Sequence, residues 1–588
     1  MPVSIARALS AVSARIWQLP AARNPVAVTP DIAVPAADGV TMLADHYAPV
    51  FPGRPGSAGG PGSAGDTVSP GAPTVLVRTP YGRGLQGALN AQFLAERGYH
   101  VLLVSCRGTF GSGGEFDPGR DEAADGQACV EWLRGQDWFD GRLATFGLSY
   151  LGFTQWALAT DPPPELRASV VMAGLHDFAE SVHHDGAFAL HTTLAWADMI
   201  AHQELPGARG LAAMVTADRR VRQAMDRNPI AAGARSMLGA REPWFERWMS
   251  HTDIDDAYWG PLRCGTATEK LQSPVLLIGG WQDIFLRQTL QQYQALSGRG
   301  VSARLIVGPW THVQIATRGG GIALRETLGW LDRYTAGDQP GPSGGPGPTD
   351  VTGPSGPGPV RLYIGGGGGW RDFAAWPPPE SAGQRWALRA DGRLSPDQAG
   401  PDQAGPEQAR SDQIEGAIAE VPFRYDPALP TPAVGGPFLA RGAGVTDNRA
   451  LERRPDVIVF TSAPLRENLD IAGEVTAEIS LVRDNPHADV FVRLCDVDGR
   501  GRSLNVSDGI TRLSGGDPLE GVTRVRLYGT AHRFAAGHRV RLQVSGGAHP
   551  RFARNPGTGA IDAAAAELRD TRYRVRTGAS AVILPVLR

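Results

Sequence analysis

Leu143-Ala144-Thr145-Phe146-Gly147-Leu148-Ser149-Tyr150-Leu151-Gly152 is the stretch on which the reading of this 588-residue chain turns. Its first six residues form an apolar run without polar alternation, the pattern of a strand covered on both faces. A serine follows at once, and residues suited to a helix follow the serine. A strand that passes straight into a helix makes a tight, strained turn. Small neighbours are needed there to leave the serine Oγ accessible. The generic Gly-x-Ser-x-Gly spacing is not met, because the second glycine is Gly152 rather than residue 151. A lone Gly-x-Ser is common by chance, so the turn has to be judged by its surroundings.

On either side the same strand–loop–helix unit repeats. Apolar runs at Thr74–Arg78, His100–Ser105, Ala168–Ala173, Pro274–Gly279 and Ala303–Val307 end in turn-forming residues and read as further buried parallel strands. Helical patterns at Ala88–Arg97, Asp121–Leu133, Thr289–Leu296 and Ala323–Tyr334 lie between or after them. This alternation predicts an α/β domain with a mostly parallel sheet. Residues 176–265 break it: they lack strand runs and are rich in tryptophan and helix formers. They read as a helical insertion over the strand ends, where ligands bind in such sheets.

Two of the remaining strands run into reactive residue types. VLLIG leads into Gly280-Trp281-Gln282-Asp283, and RLIVG leads into Pro309-Trp310-Thr311-His312. Taken singly, Asp283 reads as a helix N-cap and His312 as a loop histidine bonded to backbone. Together with Ser149 they stand in the order serine, acid, histidine, each at a strand end of one sheet. A neutral serine needs a base to take its proton, which His312 can do and later reverse. Asp283 would hold the imidazole in the correct tautomer. The oxyanion needs donors, and the Tyr150 N–H is one by geometry. The second is expected from the loop Thr79–Arg83, where Tyr81 carries a hydroxyl.

Beyond about residue 360 the pattern changes to short alternating runs: Arg361–Ile364, Val457–Phe460, Val475–Val482, Val490–Cys495, Val522–Tyr528 and His538–Val544. These predict an all-β sandwich or jelly roll. The 75 glycines and 47 prolines amount to about a fifth of the chain, against about 12% in an average composition. They are densest at 51–73, at 337–359 and around the PDQAG-PDQAG-PEQAR repeat of 396–410. All three read as loops or linkers that tolerate change. With 57 basic and 60 acidic side chains, nothing favours nucleic acid or an anionic membrane as partner. The N-terminal apolar run is broken by Arg15 and Gln18, and no stretch of membrane-spanning length occurs. Four scattered cysteines suit a reducing compartment, so a cytoplasmic protein is expected.

These residues resemble the X-Pro dipeptidyl-peptidase/cocaine esterase (CocE/NonD-type) superfamily of serine hydrolases, with the α-amino-acid ester hydrolases as relatives. The matching blocks are RTPYGRG at 78–84, RGTFGSGG at 107–114, GLSYLG at 147–152, GGWQDIF at 279–285 and GPWTH at 308–312. They continue with WRDFAAWPP at 370–378, SAPLRENLDIAG at 462–473 and HPRFARNPGTG at 549–559. Gly-x-Ser-Tyr-x-Gly is that family's usual turn, which resolves the displaced glycine. The resemblance implies Ser149 as nucleophile, Asp283 as orienting acid, His312 as base, and an oxyanion hole of the Tyr81 hydroxyl and the Tyr150 N–H. It also implies an α/β-hydrolase core (1–175 and 266–340), a helical cap (176–265), a Gly/Pro linker (337–359) and a C-terminal jelly roll (360–588). One position departs from the family: Ser105 stands where many members carry an aspartate two residues before Arg107. That arginine is expected to pair with an internal carboxylate.

Other features carry less. His183-His184-Asp185 has no third ligand in view, so no metal is expected, and no cofactor is implied. Asp496-Val-Asp498-Gly499 reads as a hairpin turn rather than a calcium loop, and Cys106 as a buried structural thiol. Trp281 and Trp310 flank the acid and base, where lining a substrate pocket and packing the core are equally open. The predicted substrate is a small ester or amide, or a short peptide. An X-Pro peptidase would need a carboxylate for the substrate's amine, with Glu180, Asp185 and Asp198 as candidates. A catalytically silent binding protein on the same fold is the non-enzyme alternative. Self-association is left open.

Overall fold

A computed structural model describes residues 3–50, 71–336, 358–397, 418–439, 441–561 and 564–588. Most of the three Gly/Pro-rich segments lies outside the described residues. In chain order the strands up to residue 373 are β1 (Val26–Pro35), β2 (Thr41–Pro49), β3 (Thr74–Thr79), β4 (His100–Ser105), β5 (Leu143–Leu148) and β6 (Leu166–Met172). They continue with β7 (His183–His184), β8 (Ala187–Phe188), β9 (Val275–Gln282), β10 (Ala303–Thr311), β11 (Val360–Ile364) and β12 (Gly369–Phe373). The helices are α1 (Val3–Ile16), α2 (Leu85–Ala95), α3 (Glu122–Arg134), α4 (Tyr150–Leu158), α5 (Phe178–Val182), α6 (Leu190–His202), α7 (Gly207–Met225), α8 (Ile230–Leu238) and α9 (Pro243–Ser250). Last come α10 (Ala267–Lys270), α11 (Leu286–Gly298), α12 (His312–Ala316) and α13 (Gly320–Thr335).

Ten of these strands form one sheet in the order β1-β2-β4-β3-β5-β6-β9-β10-β11-β12, while β7 and β8 form a separate hairpin. Pairing is parallel from β4 through β11. The continuous apolar runs are explained by cover on both faces. Along β4, Leu102 and Val104 join α3 and α4 residues such as Val130 and Phe153 in one core, while Val101 and Leu103 join α2 residues such as Leu94 in another. β9 divides in the same way, Val275 and Leu277 against Leu276 and Ile278. Each fully buried Val or Leu contributes about 1.5–3 kcal/mol, so these strands carry much of the fold's stability.

Two antiparallel additions frame the parallel strands. β1 and β2 pair antiparallel, and β2 joins β4 antiparallel. At the other edge β11 joins β10 parallel, Leu305 facing Val360, and β12 folds back on β11. Residues 360–373 therefore extend the α/β sheet. Val360–Ile364 alternates buried and half-buried positions, a pattern that is the same whichever sheet the strand joins.

Between β6 and β9 the described chain is helical apart from the short β7–β8 hairpin. The tryptophans there form its core, with Trp244, Trp248 and Trp259 all buried. From Ser381 onward the strands build two antiparallel sheets of nine and four strands. Their inward side chains, among them Val492, Leu542, Val575 and Val582, form a separate core.

Candidate active site

The run LATFGL folds as β5 and α4 begins at Tyr150, so Ser149 is the single residue of the turn between them. Its backbone takes φ 66° and ψ −124°, a left-handed conformation that costs a non-glycine residue about 1–3 kcal/mol and is held only by its surroundings. Its N–H donates to Met172 O at 2.9 Å, and its carbonyl accepts the Gly152 N–H at 2.8 Å. The flanking glycines are needed for close approach. A Cβ on Gly147 would stand 2.2 Å from the Leu151 Cβ, and one on Gly152 would stand 2.5 Å from the Gly174 Cα. Ser149 is half-buried, between a buried strand and a helix buried along its length.

Asp283 is the first residue after β9 and His312 the first after β10. Gly308 pairs with Gly280 but Thr311 with Gln282, so β10 carries one extra residue over this interval. The bulge brings the residue after β10 level with the residue after β9. His312 Nδ1 lies 2.6 Å from Asp283 Oδ1. The acid is wholly buried, and its Oδ2 has no hydrogen-bond partner among the described residues. A hydrogen bond on Nδ1 holds the imidazole in the tautomer that leaves Nε2 free to accept a proton. The Phe285 ring meets the His312 ring edge-on at 5.4 Å.

The Tyr81 hydroxyl accepts from Trp196 Nε1 at 3.1 Å and lies near the Ser149 side chain. Burial pushes this phenol up to about 12, so it keeps its proton at neutral pH. The Tyr150 N–H is the first of α4 and lies ahead of the intrahelical ladder, which leaves it available to an oxyanion. The Tyr150 side chain turns inward. Its hydroxyl donates to Glu122 Oε1 at 2.8 Å and accepts the Gly119 N–H at 3.0 Å, and burial raises its pKa well above the ordinary value. Glu122 in turn forms a buried ion pair with Arg78 on β3. Glu122 and Trp196 were not singled out from the sequence. An acid in the first turn of a helix and an aromatic in an apolar helix are ordinary there, and only the tertiary contact distinguishes them.

The two flanking tryptophans pack. Trp281 donates from Nε1 to Tyr363 O at 2.6 Å and lies against Trp376. Trp310 lies against Trp370, next to the Cα positions of Gly308 and Gly319. Of the two readings left open for this pair, these contacts account for core packing. Arg107 makes a two-point contact with buried Asp125, at 2.6 and 3.2 Å, and reaches Asp38 at 2.6 Å. Ser105, at the departing position, accepts instead from Arg83 at 2.6 Å. His183 is bonded to Trp248 O and His184 to the Tyr528 hydroxyl, while Asp185 pairs with Arg287 and Arg526. Asp498 closes a hairpin turn by accepting the Arg500 and Arg502 N–H groups. Cys106 is buried, and burial raises its thiol well above the usual value. Among the described residues no cluster of His, Cys, Asp and Glu has the grouping of a metal site.

A cavity of about 1120 Å³ lies between α6, α7 and residues 433–439 and 441–446 of the β unit. Ser149, Asp283 and His312 do not line it. It is a neighbouring space on the cap side, bordered by Ala195, Met199 and Gln203 of the Trp196 segment.

Residues 38–314 match the family model for X-Pro dipeptidyl-peptidase (S15 family), and residues 355–582 match that for the X-Pro dipeptidyl-peptidase C-terminal non-catalytic domain. The chain belongs to the X-Pro dipeptidyl-peptidase/cocaine esterase superfamily. It is 28% identical over 606 residues to cocaine esterase from Rhodococcus sp. (strain MB1 Bresler), covering 95% of this chain and 99% of that enzyme. Among solved structures, an aminopeptidase from the marine sediment archaeon Thaumarchaeota archaeon superposes with a TM-score of 0.75 at 21% identity. An α-amino acid ester hydrolase superposes at 0.74 and 22%. Each covers 96% of this chain and 97% of its own. At such identities the superpositions show the fold alone. Membership makes the chain a serine-hydrolase-type enzyme of a family acting on esters or X-Pro peptides. No described helix is long and apolar enough to cross a membrane.

Proposed function

We propose that the protein hydrolyses small acyl esters through Ser149, His312 and Asp283. Ser149 Oγ attacks the acyl carbonyl and passes its proton to His312 Nε2, while Asp283 stabilises the imidazolium. The tetrahedral oxyanion is held by the Tyr81 hydroxyl and the Tyr150 N–H. The intermediate collapses as His312 returns the proton to the departing alkoxide. Water, deprotonated by the same histidine, then releases the acid from the acyl-serine. The 2.6 Å Asp283–His312 hydrogen bond at two strand ends, together with the left-handed turn at Ser149 at the end of another strand of the same sheet, carries this reading.

Ester rather than X-Pro peptide is favoured by the state of the nominated carboxylates. Asp185 is paired with Arg287 and Arg526, Asp198 with Arg220 and His202, and Glu180 accepts from Gln291. A substrate ammonium would have to displace an arginine from either aspartate. A cytoplasmic setting is part of the proposal, supported by four buried free thiols.

The test sets wild type and Ser149→Ala against p-nitrophenyl acyl esters and against Gly-Pro and Ala-Pro anilides. Ser149-dependent turnover of the esters is expected. Turnover of the anilides alone would make the enzyme a peptidase. No turnover of either, with no labelling by a fluorophosphonate probe, would remove Ser149 as nucleophile.

A further inference from the structure

Trp196 of α6 touches both residues assigned to the oxyanion hole. Its Nε1–H donates to the Tyr81 hydroxyl at 3.1 Å, and its ring stacks on the Tyr150 ring with centroids 5.8 Å apart and planes 22° apart. At the end of the same helical segment, Gln203 Nε2 donates to Pro80 O at 2.9 Å. The segment therefore holds the Tyr81 loop at two points, one of them the functional hydroxyl.

The chemistry of the contact has only one direction. An indole N–H donates and cannot accept, whereas a phenol has one hydrogen and two acceptor sites. The Trp196 contact occupies an acceptor site of the Tyr81 oxygen and excludes a hydrogen pointing that way. The single Tyr81 hydrogen is left for another direction, and the Ser149 side chain is the other group near the hydroxyl. Without the indole N–H, the hydroxyl is free to rotate and to spend its hydrogen elsewhere. It would then have to be reoriented as the negative charge forms, a cost that a preorganised donor avoids.

We propose that Trp196 is a positioning residue of the reaction: by donating to the Tyr81 oxygen it aims the Tyr81 hydrogen at the oxyanion formed on Ser149. This rests on the reading of Ser149 and Tyr81 given above. Because Trp196 lies in the helical insertion between β6 and β9, that insertion completes the oxyanion hole as well as covering it.

The test is a double-mutant cycle on p-nitrophenyl ester hydrolysis by the full chain, with Trp196→Phe, Tyr81→Phe and the pair. Trp196→Phe is expected to lower kcat about tenfold with KM within about twofold. Tyr81→Phe should lower kcat about a hundredfold, and Trp196→Phe should cost less than about twofold on top of it. If the two losses multiply, Trp196 acts through packing and the proposal fails. It fails equally if Trp196→Phe leaves kcat unchanged. Should the smaller ring disturb the fold, replacing Trp196 by 3-benzothienylalanine exchanges the N–H for sulfur at nearly the same shape, and the same loss is expected. A wild type that is inactive and unlabelled by fluorophosphonate would defeat the Ser149 assignment itself. An active, labelled wild type with multiplying losses defeats only the role of Trp196.

Discussion

Asp283 Oδ1 and His312 Nδ1 stand 2.6 Å apart, joined across a bulge that sets the residue after β10 level with the residue after β9. The acid is completely buried, so the tautomer of the imidazole depends on this one contact. Asp283→Asn keeps the size of the side chain but supplies an amide that can donate to Nδ1, which favours the tautomer with its proton on Nε2. Steady-state kinetics should show kcat lowered by roughly 10³–10⁴, with a much smaller change in KM. A loss below about tenfold would mean that another acid supports His312.

Gly147 tests the geometry of the serine turn rather than its chemistry. Even an alanine there places Cβ 2.2 Å from the Leu151 Cβ and 3.0 Å from the Leu151 carbonyl oxygen, so the start of α4 has to move. Gly147→Ala is expected to cost about 1–3 kcal/mol in stability and most of the activity, and Gly147→Val more. Gly135→Ala is the control. Gly135 has φ −82°, and its added Cβ would meet only Trp132 O, at 3.5 Å. Thermal denaturation and ester turnover together should separate the two glycines. Equal behaviour would mean that the turn tolerates displacement.

What could be read from residues alone follows from the range of the interactions involved. Ser149, Asp283 and His312 were nominated on local signals, because each stands at or within a few residues of the end of an apolar run and the order of strand ends in a parallel sheet is a local property repeated three times. Trp281 and Trp310 lie near the ends of the same strands, yet which way an indole points depends on partners far along the chain, Trp376 and Trp370. Glu122 and Trp196 carry no sequence signal, because their significance lies in contacts to Tyr150 and Tyr81, separated from them by 28 and 115 positions. The β1–β2 hairpin was missed for a physical reason. Its strands mix exposed and buried positions without strict alternation, and β1 is interrupted by a register shift between Thr29 and Ile32.

Glu122 joins two elements under the serine turn. Its carboxylate pairs with Arg78, whose side chain is as buried as its own, and accepts the Tyr150 hydroxyl. Glu122→Gln leaves the Arg78 guanidinium buried without a counter-charge, a change that typically costs about 3–5 kcal/mol. Urea unfolding should report most of that loss, and kcat should fall as well, because Tyr150 supplies the next N–H after Ser149. A variant as stable as the wild type would show that Arg78 has found other partners. Its existing bond to the Glu122 carbonyl is the first to examine.

Acid stability should be governed mainly by buried imidazoles, opposed between about pH 7 and 4.5 by Glu242, whose carboxyl burial pushes up to about 7. His46, 2.9 Å from His100 Nδ1 through its Nε2 and stacked on Trp138, has its pKa lowered to about 3, by burial first and by His100 second. Burial, the first cause in each case, also lowers His176, His183 and His191 to about 4, and His184 and His549 to about 3. Unfolded histidines titrate near 6.5. Below that pH the unfolded chain takes up protons that the folded chain refuses. The stabilisation is therefore complete above pH 6.5 and is lost progressively as the pH falls toward 4 and 3. Carboxylates with lowered pKa values, such as Asp470 beside Arg533, act in the same direction but only below about pH 4. The unfolding free energy should thus decline between pH 6.5 and 5, by about 1.4 kcal/mol per pH unit for each histidine fully engaged. His46→Gln should remove about one proton from that slope while leaving ester turnover at pH 7.5 unchanged, since His46 has no contact with the Ser149 turn. A stability that stays flat from pH 7 to pH 5 would mean that these imidazoles gain protons in the folded chain, through local opening rather than global unfolding.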